Sequence, residues 1–211
     1  MSRTLVISDI HGHVEGLELL LMLAEYAPEK DQLFLLGDFI SKTPETWGAL
    51  DTIRAMMYRG ARALVGNTEL WLVEKLRDQE ITGSLEESIA FIHELPYMIQ
   101  HEEYVFVHAG LRPGIRLEDQ EKSDLATIRE DFWGSDYVFE STVVFGHTPT
   151  YKLGAARGEI WCQPDRIGID TGAKHGVRLT LVDLSNQLAY SCSTAEQDRY
   201  EDVRIKRLQK G

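Results

Sequence analysis

Short apolar runs alternate with amphipathic stretches along the first half of the chain. Thr4-Leu5-Val6-Ile7-Ser8, Leu33-Phe34-Leu35-Leu36-Gly37 and Ala63-Leu64-Val65-Gly66 are continuous and partly β-branched, the pattern of buried strands. After the first run, Val14, Leu17, Leu20, Leu21 and Ala24 recur at helical spacing, and that helix is expected to stop before Pro28. A second helix is expected to open at Thr43-Pro44-Glu45, with Thr43 as N-cap and Pro44 in the first turn. Trp47, Leu50, Ile53 or Arg54, and Met57 would share its face, and Gly60 would end it. Residues 70–77 predict a third helix. Ser84-Leu85-Glu86-Glu87 resembles a capping box opening a fourth, to about His93.

Beyond Pro96 the pattern shifts to strands. Residues 97–99 and 104–107 predict adjacent strands, and residues 123–131 a short helix. Residues 143–145, 167–169, 177–182 and 188–191 are apolar runs parted by turn residues. The charged tail from Glu196 to Gly211 reads as a last helix or strand with Val203, Ile205 and Leu208 docked. A helix-rich first half and a strand-rich second half predict an α/β fold of two stacked sheets with helices outside, one domain over residues 1–211.

The net charge of −12 argues against a nucleic-acid partner, since basic surface supplies that affinity. It leaves room for an anionic substrate, because bound divalent cations invert a local field. The only cysteines, Cys162 and Cys192, form no Cys-x-x-Cys pattern, which excludes a structural zinc site of cysteine ligands. No basic and apolar leader opens the sequence, and the longest apolar stretch, residues 17–24, contains Glu18. The expectation is a cytoplasmic protein without a membrane partner.

The chemistry lies where the apolar runs end. They lead in turn to Asp9 and His11, Asp38, Asn67, His108 and His147. Strand ends in layered α/β proteins are where ligand-binding groups gather. Five successive endings in Asp, His or Asn point to one shared metal site. A carboxylate can bridge two ions, which makes Asp38 the natural shared ligand. Mixed oxygen and nitrogen ligands suit Mn, Fe or Zn better than Mg or Ca. Two such ions would clamp a phosphate and acidify a water.

Ser8-Asp9-Ile10-His11-Gly12, Gly37-Asp38, Gly66-Asn67-x-Glu69, His108-Ala109-Gly110 and Gly146-His147-Thr148 resemble the successive motifs of the calcineurin-like metallophosphoesterases. The likeness is greatest to bacterial and phage serine/threonine protein phosphatases, with the symmetrical diadenosine tetraphosphatases nearby. It extends through His108-Ala109-Gly110-Leu111-Arg112-Pro113-Gly114, Ile128-Arg129-Glu130 and Ile169-Asp170-Thr171-Gly172-Ala173, from residue 5 to about 183. The resemblance implies a four-layer α/β-β/α sandwich of two mixed sheets flanked by helices, and a phosphatase with two divalent ions, manganese foremost. Asp9, His11 and Asp38 would hold one ion; Asp38, Asn67, His108 and His147 the other. Arg129 stands where the family keeps a phosphate-gripping arginine, whose planar fork matches phosphate oxygens. Otherwise it would be a surface ion-pair partner of Glu130 or Asp131.

Two motifs depart from the family. Gly37-Asp38-Phe39-Ile40-Ser41-Lys42 stands for Gly-Asp-x-x-Asp-Arg, and Gly66-Asn67-Thr68-Glu69 for Gly-Asn-His-Glu. In the family that histidine, oriented by the second aspartate, protonates the leaving group; here Ser41 and Thr68 replace the pair. Lys42 retains a charge without the arginine fork, and Val65 stands where some relatives carry another arginine. General acid catalysis is worth about 10²–10⁴-fold. The expected substrates therefore carry leaving groups needing little protonation: aryl phosphates, phosphodiesters or phosphoanhydrides. The main reading is a phosphomonoesterase of protein-phosphatase type acting on a phosphorylated protein or small molecule. The alternatives are a phosphodiester or dinucleoside-polyphosphate hydrolase, and a metal-loaded binding protein. Asp170 is expected either to orient a ligand histidine or to form the turn before Thr171-Gly172, and Thr68 to bond at a helix start. His13, His93, His101 and His175 are assigned no role in the site.

Overall fold

The computed structural model describes residues 2–208. One sheet has six strands, in the order β11-β10-β9-β1-β2-β3. They are β1 (Thr4–Ile7), β2 (Gln32–Leu35), β3 (Arg62–Ala63), β9 (Arg178–Asp183), β10 (Leu188–Ser193) and β11 (Arg204–Arg207). β1, β2 and β3 run parallel; β9 joins β1 antiparallel, and β10 and β11 continue that side. The other sheet, in the order β4-β5-β6-β8-β7, contains β4 (Met98–His101), β5 (Tyr104–Val107), β6 (Thr142–Phe145), β7 (Trp161–Cys162) and β8 (Arg166–Gly168). Its centre, β5-β6-β8, is parallel, and both edge strands are antiparallel.

The alternation of side chains along the strands shows the layers. Leu5 and Ile7 of β1 join one core with Leu33 and Leu35 of β2, against α1 (Val14–Leu23), α2 (Ala49–Tyr58), α3 (Asn67–Leu76) and α4 (Ser84–Glu94). Val6 and Phe34 point the other way and meet Phe106 of β5 and Val144 of β6 between the sheets. Val105, Val107, Val143 and Phe145 then face away again, onto α5 (Lys122–Thr127) and α6 (Glu130–Trp133). Period-two strands thus make three apolar layers and a four-layer sandwich. Phe34 and Phe106 stack at 4.3 Å across the middle layer, a pairing worth about 0.5–1.5 kcal/mol beyond the area it buries. Among the described residues no helix is long and apolar enough to cross a membrane.

Several local expectations are corrected. Thr43 is not a side-chain cap: Pro44–Thr46 forms a 3-10 turn, and α2 begins only at Ala49. The Thr46 hydroxyl donates back to the Thr43 carbonyl at 2.6 Å, a local bond that competes with helix. α3 starts at Asn67 rather than residue 70. The Asp38 carboxylate accepts the Thr68 N–H at 2.8 Å, so the helix end is capped from another strand. At α4 the cap position is Gly83, at φ 65°, and Ser84 makes no capping bond. The helix expected over 123–131 is broken, with Ile128 extended and Arg129 at φ −131°, ψ −113° between α5 and α6. Buried Ile128 anchors that break in the outer core. In the tail, β11 pairs with β10, yet Val203 and Ile205 stay exposed and only Leu208 packs against the middle layer. Residues 209–211 lie outside the described residues.

Candidate metal centre

All six parallel strands end at one edge of the sandwich, and the polar residues that follow β1, β2, β3, β5 and β6 are those singled out in the sequence. Asp9, His11, Asp38 and His147 have φ of 53°, 48°, 52° and 63°, in the left-handed region where a non-glycine residue carries strain. Interlocked loops hold them there. The Asp9 N–H donates to the Gly37 carbonyl at 3.1 Å, and the His11 N–H to the Asp38 carbonyl at 2.9 Å. Gly37 and Gly66 let two of these loops touch, since a Cβ on Gly66 would lie 2.2 Å from the Asp38 nitrogen.

Asp9, His11 and Asp38 offer ligand atoms all within 4.8 Å of one another, and all three are buried. His11 Nε2 lies 3.7 Å from Asp9 Oδ1 and 3.6 Å from Asp38 Oδ2. On the other side of Asp38, His108 Nε2 is 3.4 Å from Oδ1 and 3.0 Å from Asn67 Oδ1. The His147 ring stands 5.1 Å from that of His108, and its Nε2 is buried with no hydrogen-bond partner. Asp38 therefore sits between two groups of ligating atoms.

The backbone and neighbouring hydroxyls fix these side chains. His11 Nδ1 donates to the Ile40 carbonyl at 2.9 Å and His108 Nδ1 to the Leu36 carbonyl at 2.7 Å, which turns both Nε2 atoms toward the carboxylate and amide oxygens of the cluster, where a metal would replace their proton. Asp9 Oδ2 accepts from the Ser8 hydroxyl at 2.6 Å and the His147 N–H at 2.9 Å. Asp38 Oδ1 accepts from the Thr68 hydroxyl at 2.9 Å as well as from its N–H. Glu69, part of the Gly66-Asn67-x-Glu69 motif, is fully buried. Its carboxylate takes the N–H groups of Asp38, Phe39, Ile40 and Gly66 at 2.8–3.2 Å and so shapes the loop that carries Asp38. Its place three residues past Gly66, at a helix start, was the signal available.

The local field is that of a cation site. Burial opposes a charge on His11, yet Asp9 and Asp38 outweigh it and raise its pKa to about 9. The cluster thus holds a proton where a metal would compete for the same nitrogen. Burial also opposes charge on His108, but Asp38 and Asp9 raise its pKa too. Burial, with His108 and Arg129 nearby, lowers His147 to about 3 and keeps its unpartnered nitrogen free for a ligand. Burial and the Asp38 charge raise Glu69 to about 7, and burial with Asp9 raises Asp170 to about 8. Carboxylates, imidazoles and an amide oxygen with a buried orphan nitrogen fit a pair of borderline divalent ions.

Asp9, His11, Asp38, Asn67 and His147 line a cavity of about 240 Å³ with Arg129, Lys152, Asp170, Lys174 and His175, and fully buried His108 lies behind Asp38 and Asn67. Arg129 reaches it from the α5–α6 break. Asp131, offered by the sequence as its ion-pair partner, is taken by Arg112 at 2.7 Å, as is Asp124. Asp170 makes the turn bond, accepting the Gly172 N–H at 2.9 Å, while lying buried beside Asp9. Lys42 is not in the cavity lining; its ammonium lies over the Trp71 ring at 5.2 Å, a cation–π contact that draws it aside. Ser41 is also turned away, its hydroxyl 3.2 Å from that of Thr46. Thr68 is fully buried beneath Asp38. His13 bonds the Tyr200 hydroxyl at 2.9 Å. His175, expected to have no role in the site, lines the cavity, as do Lys152 and Lys174, which lie just outside the motifs that carry the resemblance.

A calcineurin-like phosphoesterase family model matches residues 2–181. A symmetrical bis(5'-nucleosyl)-tetraphosphatase of Vibrio parahaemolyticus is 30% identical over 129 residues, 54% of this chain and 47% of that protein. The chain thus spans about half the length of the curated relatives it matches. A crystal structure whose name gives it, provisionally, as a diadenosine tetraphosphatase superposes with a TM-score of 0.72 at 26% identity, covering 92% of this chain and 95% of that one. A serine/threonine phosphatase of Saccharomyces cerevisiae, with a TM-score of 0.60 at 11% identity over all of this chain and 80% of its own, shares the fold.

Proposed function

The chain belongs to the calcineurin-like phosphoesterase family, and from that premise we propose that it is a divalent-metal-dependent hydrolase of phosphoanhydrides of the dinucleoside-polyphosphate kind. The observation that carries the choice of substrate is the position of Ser41 and Thr68. Neither hydroxyl lines the cavity, so the family's route for protonating a departing alkoxide is missing. A diphosphate or nucleotide leaving group departs as a stable anion and does without that proton. The names of the relatives favour this reading over a protein phosphatase of the same fold.

Asp9, His11 and Asp38 would hold one ion, and Asp38, Asn67, His108 and His147 the other; manganese suits the mixed donor set. When bound, such a pair neutralises phosphoryl oxygens and acidifies water. Arg129 would grip the phosphoryl oxygens with its fork and hold phosphorus in line for attack. Asp38 Oδ1, tied to Thr68, and Asp9 Oδ2, tied to Ser8 and the His147 N–H, hold both carboxylates at fixed angles. Hydrolysis forms one bond from a water oxygen to phosphorus and breaks one bridging P–O bond. The water's protons pass to solvent and product phosphate.

Assays with manganese on diadenosine tetraphosphate, p-nitrophenyl phosphate, bis(p-nitrophenyl) phosphate and a phosphoserine peptide test the proposal. The expected order of kcat/KM places diadenosine tetraphosphate first and phosphoserine last, at least about 100-fold apart. A phosphoserine rate equal to the anhydride rate would contradict it, and metal binding without any hydrolysis would support the binding-protein alternative.

A further inference from the structure

Besides Arg129, two cations on the cavity rim, Lys152 and Lys174, have no task in the chemistry just described. We propose that Lys152 and Lys174, with the His175 ring, hold the phosphates of a phosphoanhydride chain beyond the one that reacts. This rests on the proposed function and narrows it to substrates with at least two further phosphates next to the scissile bond.

Lys152 ends the 3-10 turn Thr150–Lys152, after β6 and His147; Lys174 and His175 lie in the turn Ala173–His175, after β8 and Asp170. The two turns are joined, the Thr150 N–H donating to the Asp170 carbonyl at 2.8 Å. The second turn is closed at both ends by glycines at φ 92° and 62° and by the His175 N–H donating to the Gly172 carbonyl at 2.9 Å. Both lysines therefore leave a fixed backbone at the same strand edge as the candidate ligands, and both line the same cavity.

Many basic side chains elsewhere have other engagements, and those without one, such as Lys30 and Arg59, lie outside this cavity. Arg112 is paired with Asp124 and Asp131, Lys42 and Lys75 lie over Trp71, and Arg157 over Tyr151. Among the described residues, Lys152 and Lys174, like Arg129, have neither an acidic partner within 4 Å nor an aromatic ring beneath them. Burial and then the charges of Lys152 and Lys174 lower the pKa of His175, in keeping with their shared place in the cavity lining. A chain of net charge −12 repels a polyanion at long range, so a long phosphate chain needs local positive charge besides the metals. A monoester would leave this half of the cavity unused.

The test compares wild type with the double variant Lys152→Ala, Lys174→Ala and with Lys152→Arg, Lys174→Arg, on the manganese-loaded protein. Calorimetric titration with non-hydrolysable imidotriphosphate should show binding weakened at least about tenfold in the alanine variant and largely restored in the arginine variant, as for two lost charge-assisted contacts. In parallel, kcat/KM on diadenosine tetraphosphate should fall at least tenfold further than on p-nitrophenyl phosphate. Equal imidotriphosphate affinity in wild type and the alanine variant, or equal losses on both substrates, would overturn the inference. A wild type that turns over no phosphate ester would sink the proposed function instead, and the titration would still decide the role of the two lysines.

Discussion

The floor and the rim of the cavity are built on opposite lines. On the floor, Asp9, His11, Asp38 and His108 are buried, and each has one polar atom fixed by a backbone group or hydroxyl and another left facing its neighbours. On the rim, Arg129, Lys152 and Lys174 are exposed cations with no protein partner among the described residues. The floor stores strain and charge against a cation, and the rim keeps its charge free for an anion. A metal site needs rigid, desolvated ligands, whereas a site for a mobile phosphate chain tolerates solvated ones.

That contrast can be broken most severely at the floor. Asp38→Ala removes the residue between both ligand groups and should lower manganese affinity more than about 100-fold, beyond the 10–100-fold typical of losing a supporting partner. Calorimetry of the chelator-treated protein measures this. Arg129→Ala should instead weaken phosphate binding about tenfold or more and change manganese affinity less than about threefold. Comparable damage to metal binding from both variants would erase the distinction.

The pH dependence sharpens it further. The His11 pKa, raised to about 9, means a metal must displace a proton below that pH. Manganese affinity should therefore climb roughly 10- to 100-fold from pH 6.5 to 8.5 with proton release; a flat profile contradicts this. A smaller effect is expected at Asp170. Its folded pKa of about 8 lies above that of an unfolded aspartate, so its contribution to stability is full in acid and is lost as pH rises from about 4 through 8. Asp170→Asn should match wild type at pH 4 in the metal-free state and exceed its Tm by about 4 °C or more at pH 9.

Much of the floor was legible in the sequence because strand ends carry both signals at once. The run Val6-Ile7-Ser8 fixes a buried strand, and Asp9 and His11 follow it by chain connectivity alone. The layering was also readable, because Val105, Phe106 and Val107 must alternate between two apolar faces. What escaped depends on distant contacts. Asp38 caps α3 from another strand, so the helix begins three residues before its apolar pattern does. Arg129 is presented by a helix break that packing of Ile128 imposes, whereas local propensity favoured continuity. Lys42, expected near phosphate, lies on Trp71, which is 29 residues later in the chain. Lys152 and Lys174 line one cavity because β6 and β8 are neighbours, a pairing no local pattern announces.

The most direct measurement is anomalous scattering from crystals grown with excess manganese. Convergence of Asp9, His11, Asp38, Asn67, His108 and His147 on two cations predicts two strong peaks in the cavity, one on either side of Asp38. A cavity without peaks, with the His108 and His147 rings turned apart, would contradict it.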